Sequence, residues 1–473
     1  MGRRARVALG TTIFLVIWGL TTHGKHSVSG DEPHYLMVAQ SLLSDGDLDL
    51  RNNYRDDQGR LFGAGGLQPE LHARPALDGR LLPVHDIGLP ILLLPAYAAA
   101  RGLASLAPPA TLARFRMSQG LFAYSLVSLV IAALFSLSAV VTFAALGQQG
   151  VSNGASAVAV LALWLAAPVL SNSFLVFPEA IALAVTAWTV YACSHARNSR
   201  WGISDWPLVA ALGALPWVHR KYALYACALL AVTLWKRRGD PEQRSRLAAV
   251  VALYAIPQAV LAWWTYQHWG NLAGPIALDR LPFSRDALAH GLLGTFFDRE
   301  NGLLWWAPAY AVVPAVWWVS GKEALPWLAP VIALIVPGAA HDQWWGGFSP
   351  AARFLVPLAP VVCLVCVPAL IRRRWIRIAA IVLLVPQVLI AADGWQRPRF
   401  FWPEGDGHNR VLETLAPWLN AWAPSLRTMT EHAWSRAIEL LAGVVVLNLL
   451  LVLGAQRDIA PPEEAPVSPT KRR

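Results

Sequence analysis

Long apolar segments separated by short polar ones follow one another along the whole chain of 473 residues. A run of roughly 18 or more apolar residues is long enough to cross a bilayer as a helix. The pattern therefore predicts an all-α polytopic membrane protein. The candidate spans are 7–22, 118–146, 155–170, 181–195, 205–218, 222–235, 247–267, 303–319, 324–338, 352–371, 376–392 and 436–455.

One further apolar segment, 87–104, contains Pro90, Pro95 and Gly102. Lys and Arg in short loops favour the cytoplasmic side of a membrane. If 87–104 spans fully, the basic clusters at 236–246 and 372–377 fall outside. If it dips in and returns, or lies in the interface, these clusters and the N-terminal arginines all fall inside. We therefore predict twelve spans and a non-spanning 87–104.

The first loop, 23–117, is too long to be structureless, and we expect short surface helices in it, one beginning near Asp31. The transmembrane domain should cover 1–455, and the Pro-rich charged tail 456–473 should be disordered. With twelve spans, the segments predicted to face outside are 23–117, 171–180, 219–221, 268–302, 339–351 and 393–435.

Composition agrees with a membrane protein, since 56% of residues are hydrophobic and 14% are charged, against about 25% charged in soluble domains. The net charge of +10 is explained by cytoplasmic anchoring and anionic lipid headgroups. No nucleic-acid, P-loop or metal-binding motif occurs. Cys363 and Cys366 form a C-x-x-C inside an apolar run, where small buried residues are the expected interpretation.

The acidic pair Asp31–Glu32 follows Gly30 at the outer end of the first span and opens a predicted helix. Acidic residues in a first helical turn are stabilised by the helix dipole, and this capping role explains the pair equally well. The functional alternative is a general base, because a carboxylate held beside a hydroxyl can accept its proton. His34 and Tyr35 would then lie beside the substrate.

Glu179 follows Phe177-Pro178 at the start of a later span, and a carboxylate near the hydrocarbon boundary is costly and often functional. His219, Arg220 and Lys221 lie in a very short outer loop, against the positive-inside tendency. An external anion would explain these cations, although snorkelling to lipid phosphates would explain them too.

The loop 341–350 contains Asp342 and the pair Trp344–Trp345, and Arg353 follows one turn into the next apolar run. A buried arginine needs an anionic partner, either a carboxylate or a substrate phosphate. An interfacial tryptophan belt with a snorkelling Arg353 is the alternative. His85–Asp86 and the Asp298–Asn301 turn are smaller candidates, equally well explained as solvated loops.

Taken together, these motifs resemble GT-C fold glycosyltransferases, which include protein O-mannosyltransferases, lipid A aminoarabinose transferases and bacterial lipopolysaccharide sugar transferases. S-G-D-E-P-H-Y-L resembles their first-loop acidic motif, and F-P-E-A resembles the acidic motif of the second loop. V-H-D-I-G-L-P-I-L-L-L-P is similar to the juxtamembrane segment. F-F-D-R-E-N-G-L-L-W-W-A-P-A-Y and W-W-G-G-F-S-P-A-A-R-F-L-V-P-L-A-P resemble later segments of uncharacterised bacterial members. The resemblance extends along most of the chain.

This resemblance implies a GT-C-like bundle of about 11–13 transmembrane helices in the bacterial inner membrane, with both termini cytoplasmic and a periplasmic active site. It implies an inverting transfer of a sugar from a polyprenyl-phosphate carrier to a hydroxyl of a glycolipid, polysaccharide or protein. Asp31 would be the base, with Glu32 as neighbour or alternate, and Glu179 would place donor or acceptor. Arg353, with Arg220 or Lys221, would bind the carrier phosphate.

The chain also departs from this family. Many relatives carry Lys-Pro-Pro in the juxtamembrane segment, where this chain offers His85 and no lysine. We expect no cofactor, no obligate divalent metal and no nucleic-acid partner. A transporter or flippase for a lipid-linked saccharide is the main alternative, although the chain shows no internal repeat of the kind many transporters have. A non-catalytic assembly subunit is a third possibility.

Overall fold

A computed structural model describes residues 3–23, 28–69, 71–194, 201, 205–239, 242–275 and 284–457. Within these ranges the regular structure is helical except for one two-stranded hairpin. The predicted disordered tail, 456–473, lies outside the described residues apart from its first two positions, which belong to the last helix.

The first part of the chain forms one long helix, a group of short elements and then longer apolar helices. In order, these are α1 (Arg3–His23), α2 (Glu32–Ser44), α3 (Arg51–Arg55), a 3-10 turn (Gln58–Phe62), β1 (Ala73–Pro75), β2 (Leu81–Pro83), α4 (Gly88–Leu106), α5 (Pro109–Arg114), α6 (Gln119–Gln148), α7 (Asn153–Trp164), α8 (Val169–Asn172), α9 (Glu179–Ser194) and α10 (Asp205–Val218).

The second part is built in the same way, with 3-10 turns at Arg220–Tyr222, Pro308–Val312, Gly321–Glu323, Leu325–Trp327, Arg353–Leu358 and Pro398–Phe401. Its helices are α11 (Ala223–Lys236), α12 (Gln243–Trp269), α13 (Arg285–Phe297), α14 (Leu303–Trp306), α15 (Val313–Ser320), α16 (Leu328–Ala339), α17 (Ala359–Arg372), α18 (Arg374–Gln396), α19 (Arg410–Leu415), α20 (Pro417–Trp422) and α21 (Ala433–Arg457).

Seven described helices are long and apolar enough to cross a membrane, and three shorter ones are strongly apolar. The all-α polytopic fold class is therefore confirmed, while the count of about 11–13 spans stays a prediction. Every predicted span contains helix, but 155–170 and 303–319 are not continuous helices. The first is interrupted between α7 and α8. The second breaks into α14, a 3-10 turn and α15, because Pro308 and Pro314 remove backbone donors there.

The segment 87–104 is one continuous helix, α4. The prediction that this segment dips into the membrane and returns is therefore wrong, since α4 does not reverse direction despite Pro95. An interfacial position for this helix stays a prediction, and its length and hydropathy would also allow it to span.

The core forms around α6, which packs against α1, α4, α9 and α17. Aromatic side chains such as Phe135 and Trp164 are fully buried there, and Trp164 donates its indole N–H to the carbonyl of Phe135 at 3.0 Å. Cys363 and Cys366 are buried free thiols on α17, as expected for apolar packing. Helix α2 is buried from Glu32 to Ser41 and packs on α4, which places its first turn beside the end of the bundle that carries Glu179.

Candidate active site

The loop before α2 places Asp31 at the N-cap position of that helix, yet the side chain makes no capping hydrogen bond. The preceding Gly30 has φ +55°, and a β-carbon on it would collide with the carbonyl oxygen of Phe348. Only glycine therefore permits this close approach, which brings the first acidic motif against the W-W-G-G-F-S-P loop. The helix dipole still favours a negative charge at the Asp31 position, so the capping interpretation stays open beside the functional one.

The Asp31 carboxylate faces two basic side chains. Its Oδ2 lies 3.5 Å from Arg353 Nη1, and its Oδ1 lies 3.9 Å from His85 Nε2. The side chain is 30% exposed and accepts no hydrogen bond from a described residue. Burial raises the pKa of Asp31, but the charges of His85 and Arg353 outweigh burial and lower it below its usual range. The carboxylate is thus ionised, accessible and able to accept a proton.

Glu32 is fully buried, and both its oxygens accept hydrogen bonds. Oε1 accepts from the backbone N–H of Val176 at 2.7 Å and from the Tyr124 hydroxyl at 2.9 Å. Oε2 accepts from the N–H and hydroxyl of Ser29 at 2.9 and 3.1 Å. Burial raises the pKa of Glu32 to about 7. Glu32 ties α2 to the segment before Glu179, so it positions that segment and does not face a substrate.

Glu179 begins α9 and is buried between two cations. Its Oε1 lies 2.6 Å from Lys221 Nζ and 3.5 Å from Arg353 Nε. Glu179 Oε2 and Arg353 Nε are buried and have no hydrogen-bond partner within the described part of the chain. Buried polar atoms are normally paired, so these two point to a role beyond packing.

Aromatic faces hold both cations in place. The Arg353 guanidinium lies 4.3 Å from the ring centre of Phe177, and Lys221 Nζ lies 4.4 Å from that of Phe354. Burial lowers the pKa of Lys221 to about 8, although Glu179 opposes the shift. Two cations and two carboxylates therefore meet at one end of the bundle, and the anion site stays a prediction.

The neighbouring cation has a different environment. The Arg220 backbone N–H, Nε and Nη2 all donate to the buried Asp86, at 2.7, 3.0 and 2.7 Å, and its Nη1 donates to the carbonyl of Ala273. Arg220 therefore anchors the short loop between α10 and α11 to the segment after β2. His219 Nδ1 accepts from the N–H of Lys221 at 3.2 Å, and this bond shapes the turn that presents Lys221.

Three imidazole rings, those of His34, His72 and His85, lie close to Asp31. β1 and β2 pair with Ala73 opposite Pro83, so the hairpin brings together His72, which precedes it, and His85, which follows it. His72 Nδ1 lies 3.0 Å from His85 Nε2, and the His34 ring stacks on His72 at 3.5 Å. Tyr35 is buried, with its ring centre 5.1 Å from that of His85. Of these residues, sequence reasoning missed His72.

His34 Nδ1 also lies 2.7 Å from the hydroxyl of Tyr54, a residue in the short helix α3. Burial and the neighbouring imidazoles lower the pKa of His34 to about 3, and burial with His85 lowers that of His72 to about 4. Both rings are neutral at pH 7. Asp31, His72 and His85 offer ligand atoms within 4.8 Å of one another and are the described residues that could hold a metal ion.

Asp342 and Trp345 lie on the loop that approaches Gly30. Asp342 pairs with His341 at 2.8 Å and is 42% exposed. Trp345 packs edge-on against Trp344, and the Arg427 guanidinium lies 5.0 Å from the centre of its ring. Trp345 and Arg353 line one small pocket. The structure therefore places Trp345 near the charged cluster of Asp31, Glu179, Lys221 and Arg353, while Asp342 lies towards the solvent.

The Asp298–Asn301 turn is a buried scaffold and not a solvated loop. Asp298 Oδ1 accepts from the backbone N–H groups of Glu300 and Asn301, and its Oδ2 accepts from those of Leu426 and Arg427. Glu300 accepts from the N–H of Gly405 at 2.8 Å. This turn organises the segment 404–427.

No protein-family model and no curated protein matches this chain. Among solved structures, the crystal structure of ArnT from Cupriavidus metallidurans bound to undecaprenyl phosphate is similar, with a TM-score of 0.46 and 15% sequence identity. The match covers 97% of this chain and 74% of that chain. At this TM-score and identity, the likeness assigns no activity to the chain.

Proposed function

We propose that this chain is an integral-membrane, inverting glycosyltransferase that moves a sugar from a polyprenyl-phosphate carrier to a hydroxyl acceptor. The observation that carries the proposal is the pairing of an accessible carboxylate, Asp31, with a buried arginine, Arg353, 3.5 Å away. A proton acceptor and a phosphate-binding cation are the two groups that such a transfer needs. The motifs that resemble the GT-C family supply the same residues.

In the proposed reaction the acceptor oxygen attacks the anomeric carbon while the bond from that carbon to the phosphate oxygen breaks. The bonding electrons leave with the polyprenyl phosphate, and the configuration at carbon inverts. The hydroxyl becomes acidic as its oxygen forms the new bond, so a carboxylate of low pKa such as Asp31 can accept its proton. The donor is already activated by its phosphate, and no cofactor is required.

Arg353 and Lys221 would stabilise the phosphate as negative charge develops on it. Their contacts with Glu179 hold both cations near the proposed phosphate before the carrier arrives. The 3.5 Å separations of Arg353 from Asp31 and Glu179 exceed a normal charge-assisted hydrogen bond of about 2.8 Å, so the guanidinium can turn towards a phosphate.

The acceptor class is proposed as a glycolipid, polysaccharide or protein, and the transferred sugar as a hexose or pentose. The test is mass spectrometry of cell-envelope glycolipids, polysaccharides and glycoproteins from cells with and without the gene. We expect one sugar to be missing without it, and to return with the wild-type gene but not with Asp31→Asn. Asp56→Asn is the matched control, because Asp56 lies exposed in the same loop and pairs with Arg55.

The transporter alternative is separated by a second measurement. Purified protein in proteoliposomes would catalyse counterflow of a lipid-linked saccharide without forming any glycosidic bond if it were a flippase. A new glycosidic bond made by the purified protein, and lost in Asp31→Asn, would exclude that alternative. Unchanged envelope sugars together with counterflow would contradict the transferase.

We also propose that the charged cluster of Asp31, Glu179, Lys221 and Arg353 faces the periplasm and that both termini are cytoplasmic. Cysteines at 32 and 179 would be unreactive wherever they lie, because both side chains are buried. The exposed positions Asp56 and Asp342 are better reporters, with Arg374 as the inner control. In a Cys-free background, labelling of 56 and 342 but not 374 in intact spheroplasts is expected, and the reverse would contradict the orientation.

A further inference from the structure

We infer that Asp31, His72 and His85 form a binding site for a first-row transition metal ion of the Zn²⁺ type. The three side chains come from two separate parts of the first loop, the N-cap of α2 and the two ends of the β1–β2 hairpin. His85 Nε2 faces both partners, at 3.0 Å from His72 Nδ1 and 3.9 Å from Asp31 Oδ1.

These separations fit a zinc site. With bonds of about 2.0–2.1 Å to nitrogen and oxygen, ligand atoms around a tetrahedral zinc ion lie about 3.3 Å apart. The two measured separations lie on either side of that value, and all three ligand atoms lie within 4.8 Å of one another. A small movement of Asp31, whose side chain accepts no hydrogen bond from described residues, would complete the geometry.

The ligand types select the class of ion. Two imidazoles and one carboxylate suit zinc and its neighbours in the first transition row, whereas magnesium and calcium prefer oxygen ligands throughout. Three protein ligands leave a fourth position open, as in reactive zinc sites. Asp31 is 30% exposed and His85 14% exposed, so an ion can reach the site from solvent.

The surroundings hold the ligands in place. The His34 ring lies flat on His72 at 3.5 Å and is itself fixed by the Tyr54 hydroxyl, which orients the His72 ring without occupying its nitrogen atoms. The backbone N–H of Val84 donates to the carbonyl of His72 at 2.9 Å, so the hairpin ends are closed. These contacts restrict the orientation of the His72 ring and the spacing of the two hairpin ends.

The alternative is a hydrogen bond between the two imidazoles, with one N–H and one lone pair sharing the 3.0 Å separation. A metal ion requires both lone pairs to point at it, with each ring protonated on its other nitrogen. The hydrogen-bonded pair of imidazoles binds no metal ion, whereas the other arrangement does. A titration with zinc therefore distinguishes the two.

The ion would also affect catalysis, and this consequence rests on the proposed function. Coordination to zinc would withdraw electron density from the Asp31 carboxylate and lower its ability to accept a proton. Zinc should therefore inhibit sugar transfer, and removing it with a chelator should restore the rate.

The test begins with protein purified without a polyhistidine tag, treated with a chelator and dialysed. Calorimetric titration with ZnCl₂ should show one equivalent bound, and Co²⁺ should give the intense visible absorption of a four-coordinate site. MgCl₂ at the same concentration should not bind. These measurements need no sugar donor, so their failure would be distinct from failure of the proposed function.

His72→Ala and His85→Ala should each lower zinc affinity by at least about 100-fold, since loss of a ligand exceeds the cost of losing a supporting residue. Asp31→Asn, which keeps the shape of the side chain and the imidazole stack, should also weaken binding and serves if a histidine variant does not fold. His408→Ala is the control, because His408 is an exposed histidine beside a carboxylate elsewhere. Equal affinity in all four variants, or no saturation at one equivalent, would overturn the site. Binding that leaves transfer unchanged would overturn the inhibition.

Discussion

Asp31 and Asp298 both open short acidic turns in polar loops, and their environments in the folded chain are opposite. Asp298 is fully buried and accepts five N–H groups, four from backbone and one from the Asn301 side chain. Asp31 accepts none from described residues, and two basic groups stand 3.5 and 3.9 Å from it.

This difference distinguishes a carboxylate that supports the fold from one that is able to react with a substrate. A carboxylate whose oxygens are filled with backbone donors is fixed and has no lone pair left for a substrate. Glu32 belongs with Asp298 by this criterion, although it is the immediate neighbour of Asp31. Glu179 lies between the two classes, because one of its oxygens holds Lys221 and the other is buried without a partner in the described ranges.

The largest expected effect is that of Asp31→Asn, which removes the proton acceptor and keeps the side-chain size. Transfer should fall by about 10²–10⁴-fold, the usual contribution of a positioned base. Expression, detergent gel filtration and thermal unfolding should match the wild type. A variant that folds normally and transfers sugar at the wild-type rate would remove Asp31 from the reaction.

Asp298→Ala should break the fold where Asp31→Asn does not. The substitution leaves buried N–H groups of Glu300, Asn301, Leu426 and Arg427 without an acceptor, at a cost of roughly 3–5 kcal/mol. We expect lower yield and a lower unfolding temperature in detergent. If Asp298→Ala is as stable as the wild type but inactive, the assignment of these two carboxylates would have to be exchanged.

Lys221→Met should weaken binding of polyprenyl phosphate by about 10-fold, because the mutant loses one of two cations near the proposed phosphate. The pKa of Lys221 is lowered to about 8, so its ammonium form is lost as pH rises through that value. Wild-type affinity should therefore decline above pH 8, and the decline should be absent in Lys221→Met. Binding to undecaprenyl phosphate, measured from pH 6 to 9, checks this, with the exposed Lys322→Met as control.

Much of the fold was readable from the chain because apolar length alone identifies membrane helices. Each predicted span contains helix, and the start of α2 was predicted near Asp31. The sequence could not separate Asp31 from Glu32, since both are adjacent acids at a helix start. Their difference depends on Tyr124 and on the N–H of Val176, which are distant in sequence.

The histidine cluster shows a second limit. His85 was singled out in its motif, but His72 lies in a polar stretch with no recognisable spacing. Only the register of the hairpin, with Ala73 opposite Pro83, brings the two rings together. Two strands of three residues are too short to be predicted from alternation, so the metal site could not be found from sequence.

The smallest predicted effect concerns the pH dependence of stability and tests whether Glu32 is scaffold. Burial raises the pKa of Glu32 to about 7, above its ordinary value of 4.5, so the folded state holds more protons and Glu32 favours folding less as pH rises from about 4.5 to 7. His34 and His72 act oppositely, because their lowered pKa values destabilise the fold as pH falls below 6.5. The pKa of Asp31 lies below this pH range.

The measurement is the unfolding temperature as a function of pH for the wild type and for Glu32→Gln. Subtracting the profile of the variant from that of the wild type cancels the contribution of the histidines. The difference in unfolding temperature should fall by about 2–4 °C between pH 5 and 8, and a difference independent of pH would mean that Glu32 keeps its proton, or its charge, throughout.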